Sequence, residues 1–192
     1  MPDNPDRTDN ELMQMLAGGD RTAFEPLVVR HGPACRRLAR ALVGNPEGAD
    51  DVLQKAFVAA YRGAGNFRGD ASVKTWLLTI TRNTAYRHRK QNQKHEDGVP
   101  LLELGLGAGW GGDDPETAAM RAQQRDVLSR ALGSLAEEER EILTLRDLEQ
   151  MTGPETAELL GLSLAAMKSR LHRARLRLAA ALRSEGGAHG GA

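Results

Sequence analysis

No acidic residue occurs between Leu159 and Arg183, although the stretch holds Lys168, Arg170, Arg173, Arg175 and Arg177. Its apolar residues are periodic. Leu164, Met167, Leu171, Ala174 and Leu178 recur at spacings of three and four, which defines one helical stripe to bury. Ser163 is placed to cap that helix, because its hydroxyl can accept from the free amides of the first turn. Upstream, Thr152-Gly153-Pro154-Glu155 has capping-box spacing and opens a short helix that Gly161 closes. A short helix, a glycine turn and a capped basic helix form a helix-turn-helix pattern. Small residues at the start of the second helix let its backbone approach a DNA groove, and flanking cations suit phosphates. A solvated basic face is the plainer reading; the turn, both caps and the missing acids together weigh against it.

The 192 residues suffice for one domain or two small ones. Formal net charge is zero, so total charge does not announce a nucleic-acid binder. The distribution is more telling. Arg82, Arg87, Arg89, Lys90 and Lys94 form a second basic block, and an acidic strip from His95 to Met120 without Lys or Arg separates it from the first. Cys35 is the sole cysteine, which excludes an internal disulfide and a cysteine-rich zinc site and reads as a small core residue. The histidines have no metal-ligand spacing, so neither metal nor cofactor is expected. No apolar run is long enough to span a bilayer and no signal-peptide pattern opens the chain, which makes a cytoplasmic protein the expectation.

No strand signal appears, and the class expected is all-α. Asp9 is the expected cap of a first helix carrying Leu12, Met13 and Leu16, and Asp20 of the next, which Pro26 and Gly32-Pro33 should kink or divide. Asn45-Pro46 starts a third helix that turns Val52, Leu53, Ala56, Phe57 and Ala60 inward and Asp50, Asp51, Gln54 and Lys55 outward. After a loop at 63–69, Asp70 is the expected cap of a long helix with Val73, Trp76, Leu77 and Ile80 buried and Thr79, Asn83, Tyr86 and Lys90 on an open stripe. Residues 94–113 read as a flexible acidic linker, because glycine is frequent and no period is sustained. Asp114-Pro115 then begins a helix with Met120, Val127, Leu128 and Leu132 inside, and Ser134 to Glu137 forms a capping box for another with Ile142, Leu143 and Leu145 inside. The expected division is two helical domains, 1–93 and 114–184, with a flexible tail at 185–192.

Both halves resemble the extracytoplasmic-function (ECF) group of the bacterial sigma-70 family. Asp50-Asp51-Val52-Leu53-Gln54-Lys55-Ala56-Phe57, Asn66-Phe67-Arg68-Gly69-Asp70, Thr75-Trp76-Leu77 and Asn83-Thr84-Ala85 are similar to region two. Leu143-Thr144-Leu145-Arg146-Asp147-Leu148 and Met167 through Arg175 are similar to region four. The resemblance implies a subunit that binds core RNA polymerase and directs promoter-specific initiation, and a family commonly held inactive by an anti-sigma factor. It implies that region two captures unpaired bases of the minus-ten element, a task suited to a loop aromatic and polar helix residues. Phe67 and Asn83 match the family positions; Arg68, Tyr86, Arg87 and Lys90 are added from the loop and the exposed side of the helix. Region four would read the minus-thirty-five duplex through Lys168, Ser169, Arg170, His172 and Arg173, with Arg175 on the flank. Asp50, Asp51, Gln54 and Lys55 fall on the family's polymerase-docking helix, where Lys55 stands in the place of a usual acid. A stand-alone helix-turn-helix regulator is the alternative reading, and an antagonist that occupies polymerase without reading promoters is a third.

Overall fold

The computed structural model describes residues 7–92, 124 and 126–187, all in helices, turns and loops. In the N-terminal unit, α1 (Asp9–Ala17) leads through a 3₁₀ turn at Arg21–Ala23 into α2 (Phe24–Val43). Next come α3 (Pro46–Gly63), a 3₁₀ turn at Ala64–Asn66 and α4 (Val73–Asn92). Helices α2, α3 and α4 pack against one another, with Leu38, Ala39, Val52, Ala60 and Leu78 essentially sealed from water. Cys35 belongs to this core, where burial pushes its thiol up to about 11.

The C-terminal unit comprises α5 (126–133), α6 (Glu137–Leu143), a π-helical turn at Thr144–Leu148, α7 (Gly153–Leu160) and α8 (Leu164–Gly187). Ile142, Met167, Leu171 and Ala174 centre a second core. Thr152 and Glu155 form the expected capping box, and hydrogen bonds from Thr152 hold the Glu155 carboxyl below its usual range. Gly161 closes α7 at φ +66, a left-handed conformation that glycine adopts without Cβ strain. Ser163 caps α8, accepting from the Ala166 amide at 3.1 Å.

Several local expectations are corrected. Thr8, not Asp9, caps α1 through a box with Glu11, and Asp9 turns to Arg30 and His31 instead. Ser72, not Asp70, caps α4, its Oγ accepting from the Thr75 amide at 3.1 Å. The box expected at Ser134 is displaced: Ser134 donates back to the Ala131 carbonyl, and α6 opens at Ala136, whose amide donates to Glu139. Helix α2 runs unbroken through Pro33, since Pro33 and Val29, whose carbonyl loses its partner, lie on an exposed side. Leu164 is 41% exposed rather than buried, resting one methyl over Gly153 at the start of its helix. Ser184 to Gly187, expected to lie at the domain edge and in the tail, continue α8, with Glu185 paired to Arg130. The expected linker, the start at Asp114-Pro115 and Met120 lie outside the described residues.

The units also pack on each other. Leu145 and Met151 of the C-terminal unit join the N-terminal core, with Leu159 and Leu160 at its margin. Arg140 of α6 donates to the Ala41 carbonyl in the last turn of α2, where a cation complements the helix dipole. The π-turn and a left-handed Gln150 (φ +55) shape this contact. Gln150 is exposed, so Gln150→Gly should remove left-handed strain and stabilise the chain by up to about 1 kcal/mol in urea unfolding. The depressed Glu155 carboxyl contributes stability above its unfolded value and loses it as pH falls through the folded one. Glu155→Gln should therefore cost about 0.5 to 1 kcal/mol near pH 7, and melting curves of variant and parent should converge in acid.

Candidate nucleic-acid and polymerase interface

The first surface is the outer side of α8. Packing of Met167, Leu171 and Ala174 inward leaves Lys168, Ser169, His172 and Arg173 exposed together with Ala165 and Ala166. Arg170 is half-buried at the edge of the stripe. The face is less cationic than the local sequence indicates. Arg175 donates to both carboxylate oxygens of Asp147, an acid 28 residues earlier that raises the guanidinium further, and Arg177 pairs with the buried Glu139. The open polar and cationic side chains, Lys168 to Arg173, thus lie in the second and third turns of α8, behind a first turn of Leu164, Ala165 and Ala166 that leaves its backbone room to approach a groove.

The second surface is the loop before α4 and the outer side of α4. Phe67 meets Trp76 edge to face, centroids 5.4 Å apart, so Trp76 forms a half-buried floor and Phe67 is braced in the loop. Arg68 is open to solvent beside Asp70. Asn83, Arg87 and Lys90 are exposed along α4, the Arg87 Nε donating to the Asn83 carbonyl at 3.1 Å. Tyr86 is not open. Its hydroxyl donates to Glu141 at 3.1 Å, the Arg82 guanidinium lies 4.7 Å from its ring centre, and burial, aided by Glu141, pushes the phenol up.

Sequence reading missed the neighbouring stripe of α4. Arg82 Nε donates to Glu141 at 2.6 Å, and Arg89 pairs with Glu137. Lys74 donates to the Glu149 carbonyl at 2.8 Å and approaches its carboxylate at 3.0 Å, while Arg37 Nε reaches the same carboxylate at 2.6 Å. Thr75 donates to Glu155 at 3.0 Å. The side chains of Glu141 and Glu149 are each 1% exposed. No sequence signal marks this pairing: Glu141 follows the charged run Glu137-Glu138-Glu139-Arg140 and reads as one more surface acid, whereas once buried its carboxylate requires a cation.

The third surface lies between α2 and α3. Val28, Val29, Pro33, Leu53 and Phe57 line a groove of about 570 Å³, with Arg36, Asp50 and Gln54 at its rim. Asp50 pairs with Arg36 at 3.0 Å. Asp51 accepts from Lys55 at 2.6 Å and meets His88 at 3.1 Å, and the Lys55 ammonium holds the carboxyl below its usual range. Lys55 therefore neutralises the acid one turn before it, while Gln54 stays exposed. Among the described residues no cluster of His, Cys, Asp or Glu could hold a metal, and no helix is long and apolar enough to cross a membrane.

An all-helical pair of units, one with a cationic helix-turn-helix and one with an aromatic-based polar helix face, defines a nucleic-acid-reading protein. The family profile "Sigma-70 region 2" matches residues 27–95, and "Sigma-70, region 4" matches residues 125–178. The RNA polymerase sigma factor CnrH of Cupriavidus metallidurans is 37% identical over 186 residues, covering 93% of this chain and 96% of that one. The ECF RNA polymerase sigma factor SigM of Mycobacterium tuberculosis is 36% identical, covering 91% and 84%. In solved structures, CnrH in complex with the cytosolic domain of CnrY aligns with a TM-score of 0.64 at 29% identity, covering 92% of this chain and 97% of that one. The sigma factor RpoE of Bartonella quintana, crystallised with the anti-sigma factor NepR, gives 0.64 at 27% identity, covering 83% and 96%. The chain belongs to the ECF group of the sigma-70 family, a family of transcription initiation factors.

If Phe67 and Trp76 brace one another, a double-mutant cycle with Phe67→Leu and Trp76→Leu should give a coupling of about 0.5 to 1.5 kcal/mol in unfolding experiments.

Proposed function

We infer that this chain is a promoter-specificity subunit: it binds core RNA polymerase and directs initiation by reading minus-thirty-five and minus-ten elements. The observation that carries the reading is the conjunction, in one chain, of a region-four helix with Lys168, His172 and Arg173 open on its outer face and a region-two helix with Asn83, Arg87 and Lys90 open beside Phe67. Lys168, Ser169, Arg170, His172 and Arg173 would meet the minus-thirty-five duplex, positioned by backbone phosphates and specified by base edges. Arg175, held by Asp147, is suited to a supporting contact on that flank. Phe67, Arg68, Asn83, Arg87 and Lys90 would hold the unpaired minus-ten strand. The groove between α2 and α3 would seat an apolar segment of polymerase, with Asp50, Asp51, Gln54 and Lys55 along its edge. Charge balance there, Asp50 against Arg36 and Asp51 against Lys55, favours a contact carried by Leu53, Phe57 and Val29 more than by acids.

The subunit would supply no catalytic group, polymerisation being the work of the core enzyme, and would act in the cytoplasm where that enzyme is. An anti-sigma factor is a natural partner, because CnrH and RpoE, its structural relatives, are seen bound to CnrY and NepR.

Run-off transcription with purified core polymerase on fragmented DNA from the source organism should yield new discrete starts only when the protein is added. DNA binding by the protein alone without new starts would favour the stand-alone regulator. At those promoters Asn83→Ala should alter preference at one minus-ten base, whereas uniform weakening over all bases would mark it as structural. Arg170→Ala should cost about 1 to 3 kcal/mol of promoter affinity if it reads a base.

A further inference from the structure

Helix α2 carries a proline in its interior, and the consequence falls inside a groove. Pro33 has no amide hydrogen, so the helical ladder offers the Val29 carbonyl, one turn earlier, no donor. Both residues are exposed, and both line the groove between α2 and α3 together with Gly32. A Cβ at Gly32 would meet no atom within 4 Å, so packing does not require a glycine there; its missing side chain leaves the α2 wall of the groove as bare backbone. The facing wall is apolar, built from Leu53 and Phe57 of α3. In the free protein water satisfies such an acceptor. A partner that fills the groove expels that water, and a carbonyl left dry without a donor then opposes binding by as much as a well-placed hydrogen bond would favour it. The charged groups at the rim are already engaged, Asp50 with Arg36 and Arg37 with Glu149, so the open polar feature of the groove is its backbone.

We propose that the Val29 carbonyl is a recognition element of this groove: the segment of core polymerase seated between α2 and α3 brings an N–H donor to it, beside an apolar group that packs on Leu53 and Phe57. The occupant is core polymerase, because the groove is continuous with Asp50 and Gln54 on the docking helix. This inference rests on the promoter-specificity function proposed above and adds a selective requirement to it. An apolar segment without a donor fits the shape of the groove but leaves the carbonyl dry, whereas one with a donor satisfies both. Pro33 is thus a positioning residue that acts through the hydrogen bond it withholds, and Gly32 keeps the approach to the carbonyl clear.

The experiment measures the affinity of the full chain for purified core polymerase alongside thermal unfolding, because the two should move in opposite directions. Pro33→Ala supplies an amide that fills the Val29 acceptor and removes an interior proline. It should raise the melting temperature by about 3 °C or more and weaken polymerase binding about threefold to tenfold, the share of one interfacial hydrogen bond. A proline with a structural role alone would not separate the two readouts in this way. Hydrogen exchange in the free variant should show the new amide at position 33 protected. Gly32→Ala adds a methyl in open space, so it should not lower the melting temperature and should weaken polymerase binding by a similar factor. Pro33→Ala binding at the parent affinity or better overturns the proposal, as does weakened binding with the new amide exchanging freely, or Gly32→Ala binding as the parent does. If Pro33→Ala fails to fold, Gly32→Ala decides alone. New transcription starts with both affinities unchanged refute the acceptor and leave the sigma function intact. An unaltered chain that neither binds core polymerase nor yields new starts refutes both.

Discussion

Two carboxylates, those of Glu141 and Glu149, decide how the halves of this molecule meet. Each is sealed from water, and each is met by cations from the other domain: Arg82 for the first, Arg37 and Lys74 for the second. A buried ion pair adds little to stability compared with an apolar replacement, but losing one partner strands a charge in a dry seam. Such pairs therefore specify an arrangement more than they strengthen it. Leu145 and Met151 supply apolar burial, and the acids determine which face of α4 that burial covers.

Covering one face leaves the neighbouring one open. Asn83, Arg87 and Lys90 remain at the surface because α4 turns its Arg82 side to region four and its Leu77, Leu78 and Ala85 side to the bundle. The same economy is seen on α8, where Asp147 and Glu139 draw Arg175 and Arg177 back toward the domain and leave Lys168 and Arg173 open. At the α2–α3 groove, Lys55 and Arg36 offset the neighbouring acids, so apolar shape is the more distinctive feature. In all three places the surface available to a partner is what intramolecular pairing leaves over.

What was legible in the sequence follows from how local each determinant is. The boxes and caps at Thr152, Gly161 and Ser163 depend on atoms within four residues, and the pattern alone located them. Thr8 and Glu11 form the same kind of local box, so the cap of α1 lay within reach of spacing; between Asp70 and Ser72 no Glu or Gln three residues on decides. Arg37 and Glu149 are separated by 112 residues, and Arg82 and Glu141 by 59, so their pairing was out of reach of any window-based reading. Glu141 follows a run of four charged residues, so nothing local distinguishes it from a solvated acid. The family motifs carried the rest, since they encode long-range arrangements that residue periodicity does not.

The π-helical turn at Thr144–Leu148 has a bearing on how such domains can be exchanged between relatives. The wider turn absorbs one residue: an ordinary α-helix advances by about 100° per residue, so the same residues wound as an α-helix would carry everything beyond them round by about that amount. Glu149 would then point away from Arg37 and Lys74, and α7 with α8 would face a different quadrant. A chimera that grafts another region four onto this region two must therefore match this helical phase as well as the domain boundary. One residue of backbone register acts as the gearing between the two promoter-reading halves.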